Sequence, residues 1–243
     1  MVPDVLASLS IVVPAYNEAE RLPASVQRII AWADDVGANI EIVVVDDGSS
    51  DQTVAIAQQM AVDEPRIRVE SLGRNRGKGA AVRRGVSVAR KDYILFSDAD
   101  LSTPIDEVRK LADAIADGAD VAIGSRDVAD SRIERHQPWY REAMGRTFNR
   151  IVRALAVGGI SDTQCGFKLF AAEPARRCFS RTTIEGFAFD VEVLFIARKL
   201  GYRISEVGVI WVNDERTTVD AFRDSTRMFL DVARIRYRQR GNY

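Results

Sequence analysis

A doubly wound α/β fold, with a mainly parallel sheet flanked by helices, is predicted by three observations. Short apolar runs rich in β-branched residues alternate with amphipathic helical patterns through the first half of the chain. Those runs are apolar almost throughout, as strands buried on both faces are. Polar and glycine-rich turns stand at their carboxyl ends, where such sheets open a ligand crevice.

The elements follow in order. "LSIVVPAY" (9–16) reads as the first strand, and residues 22–33 carry a helical pattern. "IEIVVVDD" (40–47) is the second strand, followed by a helix over 51–61 capped by Asp51. "RIRVESL" (66–72) is a third, weaker strand, and 79–90 a helix. "DYILFSD" (92–98) is the fourth strand. The next helix is signposted by Thr103 as N-cap, Pro104 at the first helical position and Gly118 as the stop. "ADVAIGSR" (119–126) is the fifth strand, and residues 127–138 lack periodicity and read as a loop. Helical patterns cover about 139–157, 172–180 and 188–200; "YRISEVGVIW" (202–211) alternates as a late strand. The division expected is one domain over 1–217 and a basic amphipathic helix within 218–243.

Composition limits the function. With 243 residues, 47% apolar and 28% charged, the chain suits one large globular domain. A net charge of −1 gives no global attraction to nucleic acid. Cys165 and Cys178 offer neither a disulfide framework nor metal-ligand spacing, which fits a reduced cytoplasmic setting. "MVPDVLASLS" lacks the pattern of a signal peptide, and no run reaches the ~18 apolar residues of a membrane span.

The strand ends carry the chemistry. Pro14, Tyr16, Asn17 and Glu18 follow the first strand, Asp46-Asp47-Gly48-Ser49 the second, Asp98 and Asp100 the fourth, and Gly124-Ser125-Arg126 the fifth. Each alone is ordinary turn chemistry; four together at one sheet edge point to a site. No G-x-G-x-x-G follows the first strand. "GRNRGKGA" (73–80) has three residues where a phosphate loop needs four, and Gly79 where that loop needs Ser or Thr. It reads instead as Arg76, Lys78 and backbone amides presented to an anion near a helix start, or as a solvated basic loop.

"SIVVPAYNEAERL", "VVVDDGSSDQT", "RNRGKGAAVRRG", "FSDADLSTP" and "IGSR" together resemble the family-2 inverting glycosyltransferases of the GT-A fold. "DTQCGFKLF" (162–170) and "EGFAFDVEVLFIARKLGY" (185–202) resemble the dolichyl- and polyprenyl-phosphate glucosyltransferase branch, and the mannosyl relatives less closely. The resemblance implies that Asp98 and Asp100 are a D-x-D pair holding Mg²⁺ or Mn²⁺, with Asp98 also near the donor. Two hard carboxylates suit such a cation beside a diphosphate; Ser102 is a weaker ligand and stays outside the set. It further assigns Pro14, Tyr16, Glu18 and Asp47, with Asp46 as an alternative, to the nucleoside; Lys78, presented by the 73–80 segment, is placed with the nucleotide sugar. A single carboxylate reads uracil and guanine equally well, so UDP-glucose rests on the second-half motifs.

A phosphate acceptor is already ionised near neutrality, its second pKa lying near ~6, and needs cations rather than a base. The resemblance carries that role to Arg126 and Arg141. Asp190 and Glu192 lie ~200° apart on a helix, so one of them is expected to face the crevice; Asp190 there would be the base of a transferase to a sugar hydroxyl. Asp162 and Gln164 are expected near the donor sugar or the loop above it. Arg146 is a further cation in the same "PWYREAMGRTFN" segment as Arg141, and His136, the only histidine, sits in a polar loop. An apolar stripe of Phe222, Met228, Phe229, Val232, Ile235 and Tyr237 among arginines suits peripheral contact with the cytoplasmic face of a membrane, or packing on the domain. Besides transfer of a hexose to a lipid phosphate, a catalytically silent nucleotide-sugar sensor is the remaining reading. Oligomeric state is not expressed in the sequence.

Overall fold

The computed structural model describes residues 4–135 and 157–212, and Met228, Asp231, Val232 and Ile235 beyond them. Among these residues the strands are β1 (Leu9–Ala15), β2 (Ile40–Asp46), β3 (Ile67–Ser71), β4 (Tyr93–Ser97), β5 (Val121–Ser125), β6 (Arg132–Arg135), β7 (Phe167–Ala171), β8 (Ile204–Gly208) and β9 (Ile210–Val212). The helices are α1 (Leu22–Val36), α2 (Thr53–Asp63), α3 (Lys78–Val88), α4 (Val108–Ala116), α5 (Ala172–Phe179) and α6 (Phe189–Lys199).

Seven strands form one sheet in the order β3-β2-β1-β4-β7-β5-β8. All pairings are parallel except those of β7, which is antiparallel to both β4 and β5. Alternation along the strands feeds two cores. Ile11, Val13, Ile42, Val44 and Leu95 face α1 and α4, while Val12, Val43, Val45, Ile94 and Phe96 face α3, α5 and α6. The central strands β1, β2 and β4 are thus largely apolar on both sides because helices cover both sides.

The sequence reading misses β7. Lys168, the second of its five residues, breaks the apolar run that marks a buried strand. The expected loop at 127–138 contains β6, and the expected strand over 202–211 is two: β8 joins the main sheet and β9 pairs with β6. Thr103 is not an N-cap. A 3-10 turn over Ile105–Glu107 precedes α4, Pro104 occupies the cap position, and Thr103 is buried with its Oγ1 3.8 Å from Cys165 Sγ. Asp51 does support α2, accepting the Thr53 N–H at 3.0 Å.

The helix expected at 139–157, with Arg141 and Arg146, lies outside the described residues apart from Val157, and so does His136. Of the basic C-terminal stretch, Met228, Asp231, Val232 and Ile235 are helical. Val232 and Ile235 are 2% and 0% exposed within the core on the α3–α5–α6 side. Two residues of the stripe offered to a membrane are therefore occupied by packing. No helix among the described residues is long and apolar enough to cross a membrane.

Candidate active site

The carboxyl ends of β1, β2 and β4 surround a cleft of about 370 Å³. Pro14, Tyr16 and Glu18 line it from the end of β1, Asp47 from the end of β2, Lys78 from the start of α3, and Asp98 and Asp100 from the end of β4. The parallel register explains the convergence: Pro14 pairs with Val45 and Val12 with Phe96, so the three strands end at one level.

The charges in the cleft are linked. Lys78 Nζ lies 2.5 Å from Asp98 Oδ1. Burial works against the lysine's charge, but Asp98, Asp190 and Asp100 outweigh it and hold its pKa above the ordinary value. Burial first, and then the neighbouring Asp98, raise the pKa of Asp100, whose carboxylate also accepts the Ser102 N–H at 2.9 Å. Glu18 is pushed up by burial despite its two-pronged pairing with Arg21, which also lines the cleft.

Two expected contacts differ. Asp46 does not line the cleft: its carboxylate accepts the Gly48 and Ser49 N–H groups and the Ser71 hydroxyl, each at 3.0 Å, and shapes the turn. Asp47 lines the cleft, but its two oxygens already accept the N–H groups of Arg76 (2.7 Å) and Gly77 (2.8 Å). Two amides at the start of α3 are already engaged. The Gly79 N–H donates to Glu185 O at 2.8 Å and the Ala80 N–H donates to Gly77 O at 3.0 Å. Among the cationic side chains of the 73–80 segment, Arg76 is paired with Glu185 and Lys78 with Asp98. Gly77 makes the docking possible: its φ of 116° excludes most side chains, and a Cβ would stand 2.4 Å from Glu185 O.

The donor set suits a divalent cation. Asp98 and Asp100 supply hard oxygens, and no third His, Cys, Asp or Glu completes a metal cage among the described residues. That is the pattern of sites where one or two carboxylates and substrate phosphates share the ion.

A profile described as glycosyl transferase family 2 matches residues 10–179. The chain belongs to that family. It is 38% identical over 95% of its length to a dolichyl-phosphate beta-glucosyltransferase of Dictyostelium discoideum, covering 74% of that protein. Identity is 40% to the Mus musculus protein of the same name, over 95% of this chain and 75% of that one. Among solved structures, glucosyl-3-phosphoglycerate synthase from Mycobacterium tuberculosis, in complex with Mn²⁺, UDP-glucose and phosphoglyceric acid, matches with a TM-score of 0.73. The overlap covers 98% of this chain and 83% of that one at 20% identity, which bears on the fold alone.

Outside the cleft, this glycosyltransferase places the remaining expected residues differently. Arg126 is not a lining residue. Its Nε and Nη2 donate to Asp162 at 2.6 and 3.0 Å, its backbone N–H donates to the same carboxylate, and its guanidinium lies 5.4 Å from the Trp211 ring. Burial opposes the Asp162 charge, but Arg126 outweighs it and lowers the carboxyl to about 2. Gln164 Nε2 is buried without a hydrogen-bond partner among the described residues.

Neither acid of α6 faces the cleft. Glu192 accepts the Thr183 and Ile184 N–H groups, each at 2.8 Å, and Asp190 pairs with Lys168. The expectation that one would point into the crevice fails because α6 is buried nearly all round, so its acids are matched to internal donors.

Several site residues escaped the sequence reading. Arg21 gave no signal beyond its spacing from Glu18. Phe187, Met228 and Asp231 reach the cleft only through folding. Gly166 was quoted without a role, yet a Cβ there would stand 2.1 Å from Asp98 Oδ2.

Proposed function

We propose that this family-2 glycosyltransferase moves glucose from UDP-glucose to a dolichyl or other polyprenyl phosphate, with inversion to a β-linked product. The observation that carries the reading is the Lys78–Asp98–Asp100 cluster at the cleft, in a chain 37–40% identical to dolichyl-phosphate beta-glucosyltransferases.

In the reaction an acceptor phosphate oxygen attacks C1, the C1–O bond to the donor diphosphate breaks, and UDP leaves with the electron pair. The difficult charge is the one that accumulates on the departing diphosphate. Lys78 is the chain's own countercharge for it, kept protonated by the surrounding carboxylates. Asp98 and Asp100 would hold Mg²⁺ or Mn²⁺, which supplies further neutralisation of the diphosphate when bound. Pro14, Tyr16 and Glu18 contact the nucleoside, with Asp47 bracing the 76–77 turn beside it. The acceptor phosphate is assigned to Arg126 and Arg141. Since Arg126 already spends two donor atoms on Asp162, it contributes through Nη1, which has no hydrogen bond among the described residues. A base is not required, which agrees with the absence of Asp190 from the cleft wall. A lipid acceptor places the enzyme at a bilayer surface, on the cytoplasmic face in this reading. Val232 and Ile235 are committed to the core, so the arginines of 222–240 supply that contact.

A donor panel with Mg²⁺ or Mn²⁺ and a short polyprenyl phosphate tests the reading. Transfer from UDP-glucose, with a β-configured product, is expected. Preference for GDP-mannose overturns the sugar and base assignments; no transfer from any donor overturns the acceptor.

A further inference from the structure

We propose that the buried Lys168–Asp190 pair is a positioning device that fixes Lys78 and Asp98 at the floor of the cleft. The inference rests on the donor-site reading above and gives Asp190 a role other than proton acceptor.

Lys168 and Asp190 are 0% and 2% exposed and ion-paired. Lys168 belongs to β7 and Asp190 to the first turn of α6, so the pair ties the sheet to the helix. Its reach extends to the site by two routes. The first is electrostatic: Asp190 acts on Lys78 as well as on Lys168, and Lys78 pairs with Asp98. Charges of alternating sign therefore run Lys168, Asp190, Lys78, Asp98. The second is mechanical. Lys168 Nζ also donates to Cys165 O at 2.6 Å and stands 5.1 Å from the Phe96 ring. The residue after Cys165 is Gly166, whose carbonyl accepts the Asp98 N–H at 3.2 Å and whose Cα side abuts the Asp98 carboxylate.

A buried ion pair is a weak source of stability, because desolvating two charges consumes most of the attraction. Apolar residues of equal volume would fill this place at least as well. What an apolar pair cannot do is act on Lys78. Lys78 is ion-paired with Asp98 and also feels the Asp190 charge; with that charge removed, the pull of Asp98 is no longer balanced and Lys78 is held away from the diphosphate.

The test is a double-mutant cycle read by calorimetric titration of UDP (GDP if the donor panel selects guanosine), with melting curves beside it. Lys78→Ala is expected to weaken UDP binding. Asp190→Asn is expected to weaken it roughly tenfold in the wild-type background and to add nothing in the Lys78→Ala background. An equal loss in both backgrounds overturns the proposal, because Asp190 then acts independently of Lys78. Unchanged UDP affinity with turnover abolished also overturns it, in favour of a proton acceptor. If Lys78→Ala leaves UDP affinity intact, the donor-site reading falls and the proposal with it, a result distinct from the other two. Should Asp190→Asn fail to fold, the apolar pair Lys168→Met with Asp190→Leu replaces it. Native melting with a Lys78-dependent loss of UDP affinity is then expected, and native affinity overturns the proposal.

Discussion

Asp162 shows how one buried carboxylate can be both structural and pH-sensitive. Arg126 holds its pKa at about 2, below the ordinary 3.8, and so the pair contributes stability that is fully present above 3.8. That contribution is lost as pH falls from 3.8 to about 2, and amounts to on the order of 2 kcal/mol. Asp162→Asn is expected to be less stable than wild type at neutral pH by at least this amount, because Arg126 is left without its partner. In acid titrations followed by circular dichroism the difference should shrink below pH 3.8; a difference that persists unchanged to about pH 2 refutes the account. At the cleft, Asp100→Asn removes a carboxylate of the proposed metal site without removing volume. Transfer should fall roughly a hundredfold or more, and Mn²⁺ binding measured by spin resonance should weaken with it. The two cysteines are inert by burial, which pushes the Cys165 thiol up to about 11 and the Cys178 thiol up to about 12. Neither is expected to react with iodoacetamide in the native protein at about pH 8, while both react once it is unfolded.

Among the elements, β7 has the largest consequence for the site. It enters the sheet antiparallel between β4 and β5, and its register sets Phe167 opposite Ser97. Gly166 therefore falls beside Asp98, and Lys168 falls inside, facing α6. A side chain at 166 cannot share space with the Asp98 carboxylate, and the neighbouring backbone bonds leave little room to shift. Gly166→Ala is expected to keep a cooperative melt while losing Mn²⁺ and UDP affinity together. Full affinity in that variant would show that Asp98 is free to move, and that β7 does not set its position. The break between β8 and β9 has a different effect: it brings Trp211 to the Arg126 guanidinium, at 5.4 Å.

At the scale of the whole molecule, the described residues of the C-terminal stretch pack on the domain. Val232 and Ile235 are buried in the core, while Met228 and Asp231 line the cleft from the same helical stretch. Burial of two such aliphatic side chains contributes about 2 kcal/mol each. Truncation after Val219 should lower the melting temperature and reduce transfer to long-chain and short water-soluble acceptors alike. Loss confined to the long-chain acceptor, with an unchanged melt, would assign this stretch to the membrane alone. Association with anionic liposomes should weaken with salt, as a contact made by arginines must.

What the sequence determined by itself is the part governed by local rules. Apolar runs with turn residues at their ends specify β1 to β5 and the edge at which they open, so Pro14, Tyr16, Glu18, Asp47, Lys78, Asp98 and Asp100 could be gathered into one cleft before any coordinate was known. The resemblance supplied their chemistry. Only the tertiary structure decided the layer beneath. A lysine within an apolar run reads as the end of a strand, because an isolated buried charge is too costly. Lys168 nonetheless lies within β7, since Asp190 arrives from another element 22 residues away to neutralise it. In the same way Arg126 is claimed by Asp162 from 36 residues away, and the amides of residues 76 and 77 by Asp47 from 29 and 30. Partners so distant along the chain leave no local pattern. Which acids and cations are spent on each other, and which remain to meet a substrate, is settled when folding brings them into contact.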